Sequence, residues 1–234
     1  SELKRGNSLD SVVLFEKLVA RYKNDPVVVY AWYFLGDACM ELQRYDRAAE
    51  AYALVVDKYP AHEYASFARL GLGLAKFRAR DYRNAALQFS LLAHTTANVA
   101  LIPQATYWLG ETRYWLEEFA VARTNFGIVL RSYPESEYAP DAKYRIAFSW
   151  LREKNWPTAQ TNFREFVALY PQHALVPEAL LKLGWLCQQQ DAYALAADYY
   201  DKVLANFPKF AGLPEAVFNA ALCNYKLGKH DRAA

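Results

Sequence analysis

Apolar and polar positions along this chain follow a helical rhythm. Trp32, Leu35, Ala38 and Cys39 share one face of a first predicted helix, and Ala48, Tyr52, Val55 and Tyr59 share one face of a second, at i, i+3, i+4 and i+7 spacings. The pair predicts a helical hairpin, and the hairpin recurs. Laid against itself, the sequence shows one period of 37 residues that runs without a gap from Ser11 onward. Alanine returns at Ala48, Ala85, Ala122, Ala159, Ala196 and Ala233, and a second series occupies Ala31, Ala68, Ala105, Ala142, Ala179 and Ala216.

Bulky residues recur in the same register. Phe15, Tyr52, Phe89, Phe126, Phe163 and Tyr200 form one ladder; Tyr45, Tyr82, Phe119, Trp156 and Tyr193 form another. Between them stand Gly36, Gly73, Gly110, Ala147, Gly184 and Ala221. Small beside large is a packing code: where two helices cross closely, one presents a residue without bulk so that a ring from the other can enter. Proline punctuates the register. Tyr59-Pro60, Tyr133-Pro134, Tyr170-Pro171 and Phe207-Pro208 are expected to close second helices, because proline cannot continue a helix and restrains the residue before it. Pro103, Pro140, Pro177 and Pro214 fall where the next first helix opens, a place that needs no N–H. Asp141, Glu178 and Glu215 follow three of these prolines, where negative charge suits the positive end of the helix dipole.

Composition narrows the picture. Hydrophobic residues make up 54% of the 234 and aromatics 16%, with 18 Tyr and 6 Trp, which argues for extensive burial and against disorder. The formal charge is +2, from 27 basic and 25 acidic residues, with no Lys/Arg block of the kind that tracks a phosphate backbone, so nucleic acid is not expected as a partner. No run of eighteen apolar residues and no charged-apolar-small leader is present, so neither a membrane span nor a signal peptide is expected within the sequence. Cys39, Cys187 and Cys223 are far apart and lie inside helical patterns, and they read as small buried hydrophobes.

Trp32, Leu35, Gly36, Tyr45, Ala48, Tyr52 and Pro60 stand at the positions of the tetratricopeptide signature, and the sequence resembles that family over nearly its whole length. Later repeats depart from it, carrying Arg69, Thr106, Lys143 and Leu180 in place of the tryptophan. Three extra residues after the closing proline, as in the run from Tyr133 to Ala142, resemble the longer repeats of bacterial envelope proteins, including the outer-membrane assembly lipoprotein and the Tol–Pal coordinator. The resemblance implies an all-α fold, a right-handed superhelical solenoid of antiparallel helix hairpins. It also implies the periplasm or cell envelope of a Gram-negative bacterium, with generic cytosolic tetratricopeptide proteins as the competing setting. The register divides one solenoid into a partial leading repeat (1–26), repeats at 27–62, 63–99, 100–136, 137–173 and 174–210, and a partial trailing repeat (211–234). An array cut at both ends is expected to continue beyond Ala234, because stacked repeats need neighbours to cover their apolar faces.

In that family the first helices line the concave face of the superhelix. Carried onto this sequence, the inward places that mark partner-binding candidates are Tyr30, Tyr33 and Asp37, then Arg78, then Tyr107, Glu111, Tyr114 and Trp115, then Tyr144, Phe148 and Arg152, and finally Trp185. Phe67 and Phe77 fall at inward places too. Such a wall suits an extended or helical peptide with large apolar anchors, since aromatic rings supply contact area with little entropy to lose. Aromatic residues at helical spacing also serve as core, and Tyr33, Phe77 and Tyr144 can be read either way. Arg78 and Arg152, at the same place in alternate hairpins with Trp115 between them, suit an acidic group or a terminal carboxylate, or are simply solvated. The carboxylate grip of the chaperone-binding members needs asparagine one place after the glycine, where this chain has Asp37, Leu74, Glu111, Phe148, Trp185 and Leu222.

Nothing in the sequence organises a reaction. His62, His94, His173 and His230 lie at or beside junctions and turns with no Cys or carboxylate at metal-ligand spacing, and no cofactor or metal is expected. Gly71-Leu72-Gly73 superficially resembles a phosphate loop but lies within a first helix, and Glu117-Glu118 occupies a turn. The expected function is a non-catalytic scaffold that holds a protein or peptide in a concave groove. The alternative is a structural module that self-associates through its ends or convex face.

Overall fold

The computed structural model describes residues 2–23 and 25–229, with side chains from Asn7 onward. Ala233 and His230, which the repeat register and the search for ligands singled out, lie outside the described residues. Twelve α-helices and no strand occur among the described residues: α1 (Glu2–Arg21), α2 (Val28–Glu41), α3 (Tyr45–Lys58), α4 (Ala65–Arg78), α5 (Tyr82–Thr95), α6 (Ile102–Trp115), α7 (Phe119–Ser132), α8 (Ala139–Arg152), α9 (Trp156–Leu169), α10 (Val176–Gln188), α11 (Tyr193–Asn206) and α12 (Leu213–Lys226). First helices start at Val28, Ala65, Ile102, Ala139, Val176 and Leu213, and second helices at Tyr45, Tyr82, Phe119, Trp156 and Tyr193, every step being the 37-residue period.

The punctuation explains these limits. Pro103, Pro140, Pro177 and Pro214 each stand in the first turn of α6, α8, α10 and α12. Tyr59, Tyr170 and Phe207 are the C-caps of α3, α9 and α11, and a proline follows each. Two second helices also carry side-chain N-caps: Asp81 accepts the Asn84 N–H at 3.4 Å, and Asn155 accepts the Thr158 N–H at 3.3 Å.

Each hairpin turn is a short link, of three residues except for the four between α10 and α11, built on one left-handed residue. Gln43, Arg80, Glu117, Lys154 and Asp191 have φ between 54° and 63°, and Gly228 has 70°. Their spacing is again 37. In the first turn the Gln43 N–H donates to Met40 O at 3.0 Å and the Arg44 N–H to Cys39 O at 2.8 Å, the paired bonds of a Schellman cap. These bonds satisfy carbonyls that the helix end leaves open.

The helices gather into two compact units, Ser1–Asn125 and Phe126–Ala234, with the division inside α7. In the first, consecutive helices pack from α1 through α6; in the second, from α8 through α12. The cores are built as the ladders predict. A methyl group on Gly36 would stand 2.5 Å from Cε1 of Tyr52, one on Gly71 2.6 Å from Cζ of the same ring, one on Gly73 2.6 Å from Cε1 of Phe89, and one on Gly184 2.5 Å from Cε1 of Tyr200. Gly71 and Gly73 are thus helix-packing residues of α4. Ala48, Ala85, Ala122, Ala159 and Ala196 are all fully buried. So is Phe89, a burial that stabilises by about 1.5–3 kcal/mol.

Candidate partner-binding surface

In the first unit, α2 sets Tyr30, Tyr33 and Phe34 on one face by i, i+3, i+4 spacing. The link after α3 brings His62 and Tyr64 to them, and α4 adds Phe67. Tyr64 is the hub of this cluster: its ring centroid lies 4.7 Å from Tyr33, 5.2 Å from Tyr30, and 6.0 Å from both Phe34 and Phe67. His62 meets Tyr30 edge-on at 5.1 Å and accepts the Tyr64 N–H through Nδ1 at 3.2 Å. The hydroxyl of Tyr30 donates to Glu63 Oε1 at 2.9 Å. Tyr30, Phe34 and Phe67 remain 36–39% exposed. Beside them an apolar pocket of about 220 Å³ opens between Phe15, Leu18, Val27, Val28, Tyr30, Ala31 and Phe34.

Charge is held beneath these rings. Tyr52 donates its hydroxyl to Asp37 Oδ1 at 2.5 Å. Burial pushes the Asp37 carboxyl above its ordinary value; the bond from Tyr52 opposes that, and Glu41 adds to it. Burial, with Asp37 and Tyr64 nearby, pushes the Tyr33 phenol up to about 12. Asp37 and Tyr33 therefore lie partly inside the helix packing.

The remaining candidates of this unit divide sharply. Tyr107, Glu111 and Tyr114 on α6 are buried, at 9%, 3% and 3% exposure. Tyr114 packs edge-on against Phe119 at 5.4 Å. Trp115, at the end of the same helix, is 49% exposed with its ring stacked on Tyr82 at 6.0 Å and 12°. Arg78 is exposed at the end of α4, and Phe77 is half-buried, edge-on to Tyr82 and Trp108.

In the second unit Tyr144 is a core residue. It is buried, edge-on to Phe163 and Phe166 at 5.6 and 5.5 Å, and stacked with half-buried Phe148 at 5.9 Å. Arg152 is exposed at the end of α8. Trp185 on α10 meets Trp156 edge-on at 6.1 Å and keeps 37% of its surface in solvent. Nearby, His173 Nε2 stands 3.8 Å from Asp141 Oδ2. Burial raises the Asp141 carboxyl; His173 and Arg145 oppose this and Glu137 adds to it.

The inward register thus brings Tyr30, Tyr33 and Asp37 into one cluster, leaves Arg78, Trp115, Arg152 and Trp185 at helix ends facing solvent, and buries Tyr107, Glu111, Tyr114 and Tyr144. It passed over Phe34, His62 and Tyr64. Tyr64 caps α4 at a junction, and only its place beside a first helix signals that it meets the rings of α2. Among the described residues no three His, Cys, Asp or Glu side chains gather as a metal site would, and no helix is long and apolar enough to cross a membrane.

Comparison with known proteins accords with this geometry. Tetratricopeptide repeat family models match residues 1–63 and 178–209, and the model of an outer membrane lipoprotein family matches residues 99–192. No curated protein matches the chain. Among solved structures, the apo form of RapI superposes with a TM-score of 0.73 at 13% identity, covering 99% of this chain and 73% of its own. A tetratricopeptide repeat protein from Parabacteroides merdae ATCC 43184 gives 0.69 at 13% identity, with 99% and 84% covered. YrrB gives 0.57 at 18% identity, with 86% and 96% covered. With its 37-residue hairpin period, its ring-on-glycine crossings and these matches, the chain has the tetratricopeptide-type fold of helix hairpins, carries tetratricopeptide repeats at 1–63 and 178–209, and is similar over 99–192 to an outer membrane lipoprotein family.

Proposed function

We propose that this protein is a non-catalytic scaffold that grips a partner protein or peptide on the face made by its first helices, within a bacterial envelope assembly. The observation that carries the reading is the aromatic cluster of the first unit. Tyr30, Phe34 and Phe67 keep more than a third of their surface in solvent while supported from behind by Tyr33 and Tyr64. Rings already fixed by their neighbours bind at little entropic cost, and the phenol and carboxylate edge of Tyr30 and Glu63 supplies polar recognition. Trp115 and Trp185 offer two further exposed anchors, and Arg78 a cation for an acidic group. The match to an outer membrane lipoprotein family over residues 99–192 supports the envelope setting. YrrB, one of the similar structures, is described as having an unusual peptide-binding site.

The test is to isolate the partner with intact protein from the native host and measure its affinity by calorimetry. Tyr30→Ala with Phe34→Ala, and separately Trp115→Ala with Trp185→Ala, are expected to weaken binding by about tenfold or more, the loss typical of aromatic anchors. Unchanged affinity in both pairs sinks the proposal.

A further inference from the structure

The opposite face of the first unit, made by its second helices, carries a groove that the reading above does not use. α3 and α5 each pack on α4, and residues of all three line a cleft of about 690 Å³. That lies within the ordinary range of ligand clefts, about 300–1,000 Å³. Leu91, 39% exposed, gives it apolar surface, and buried Leu72 lies at its floor. Along α3, Asp46, Glu50 and Asp57 follow one another at i, i+4 and i+11, which places all three carboxylates on the same wall.

Both cations of the groove have partners, a neutral amide for Arg69 and a carboxylate for Lys76. Arg69 donates through Nη1 to Gln88 Oε1 at 3.1 Å, and Lys76 Nζ stands 3.6 Å from Asp81 Oδ2. The acidic wall is open by comparison. Among the described residues Glu50 pairs only with Arg47, at 2.9 Å, and Asp46 and Asp57 have neither an ion-pair nor a hydrogen-bond partner.

The repeat itself shows that packing does not require these acids. At the places of Asp46, Glu50 and Asp57 the next repeat carries Arg83, Leu87 and His94, and later ones carry Ala120, Thr124 and Arg131, then Pro157, Thr161 and Ala168. Asp57 also stands in the last turn of α3, where the helix dipole favours a cation. Asp57 is an exposed carboxylate held against the dipole on the rim of a groove of mixed polar and apolar lining, where positive charge from outside is favoured.

We infer that this groove docks a basic amphipathic segment of a partner protein. Its Lys or Arg side chains meet Asp46, Glu50 and Asp57, and its apolar side lies over Leu72 and Leu91. This surface is separate from the aromatic cluster of the first helices, so one scaffold offers two different chemistries.

The probe is a synthetic helical peptide of leucine and lysine, titrated into the full chain by fluorescence anisotropy, with a leucine–glutamate peptide as counterpart. Asp46→Lys with Asp57→Lys is expected to weaken the lysine peptide by about tenfold. Leu91→Ser should weaken it about threefold through lost apolar contact. The charge-matched pair Asp198→Lys with Asp201→Lys, which does not line the groove, should leave affinity within about twofold, since exposed charges away from the contact are largely screened. Circular dichroism of each variant confirms that it is folded. Equal losses in the two charge pairs mean that diffuse attraction alone was measured, and they overturn the inference, as does no binding by the wild type or no loss in the groove pair. Tyr30→Ala with Phe34→Ala should leave the lysine peptide unaffected, so failure here is distinguishable from failure of the first-helix reading.

Discussion

Gly73 of α4 lies so close to Phe89 of α5 that a methyl group in its place would stand 2.6 Å from the ring's Cε1. Phe89 is completely buried and has no room to retreat. Gly73→Ala should therefore cost about 1–3 kcal/mol by overpacking, although alanine is the better helix former. Chemical denaturation measures the loss. Phe89→Leu in the same chain should recover part of it, because residues in contact are not additive.

Gly127 gives the opposite sign. It sits within α7, and a methyl group there meets only the guanidinium end of Arg131, 3.0 Å away and free to swing aside. Gly127→Ala should stabilise by about 0.5–1 kcal/mol, the helix-interior difference between the two residues. A loss in the same denaturation assay would contradict that account.

The turn residues make a third pair. Arg80 holds φ 63°, a region that costs an L-residue about 1–2 kcal/mol, while Gly228 holds 70° at the same place four periods later without that cost. Arg80→Gly should stabilise by up to about 1 kcal/mol after the greater freedom of glycine in the unfolded chain is deducted. Gly228→Ala should destabilise by a similar amount, seen as faster hydrogen exchange at the end of α12.

Two aspartates predict opposite pH dependence. Burial raises the Asp37 carboxyl above its ordinary 3.8, so its contribution to stability is fully present below that value and is lost as pH rises through the folded value. Asp37→Asn keeps an acceptor for Tyr52 and should gain on the wild type across that rise. Asp81 is the reverse: the Asn84 side chain, then its backbone N–H, and Lys76 lower it below 3.8 against a smaller opposing effect of burial. Its contribution is present above 3.8 and is lost as pH falls through the folded value, so Asp81→Asn should be less stable at neutral pH and equal the wild type in acid. Urea midpoints from pH 2.5 to 7 check both signs.

Cys39, Cys187 and Cys223 are free thiols at no more than 1% exposure, and burial raises each thiol. Gln160 and Gln188 donate to Cys187 and Cys223 at 3.1 and 3.2 Å. All three should react with an aromatic disulfide reagent only at the rate of unfolding, rising with urea; rapid labelling in native buffer would show that these helices open locally.

How far the candidate surface could be read from the residues varies by position. Trp115 and Tyr144 hold inward places of one and the same register. Trp115 ends its helix and stands half in solvent, whereas Tyr144, nearer the start of α8, is enclosed by Phe148, Phe163 and Phe166. A register names the face a side chain leaves from, but enclosure depends on which bulky neighbours arrive from other helices. Tyr64 shows the converse: a junction residue outside every inward place becomes the hub of the aromatic cluster because α2 and α4 converge on it.

The 37-residue period, the proline stops and the pairing of glycine with rings were determined by sequence alone, since each depends on chain-local backbone limits or on small and large residues at fixed separations. Tertiary structure decided which aromatics face solvent and which acids line an open groove. It also revealed the left-handed turn residues, hidden because Gln, Arg, Glu, Lys and Asp occupy a place where only Gly228 advertises the conformation. The physical reason is that a repeat repeats its backbone but not its surroundings: burial and charge are sums over side chains from neighbouring hairpins, and those differ at every step.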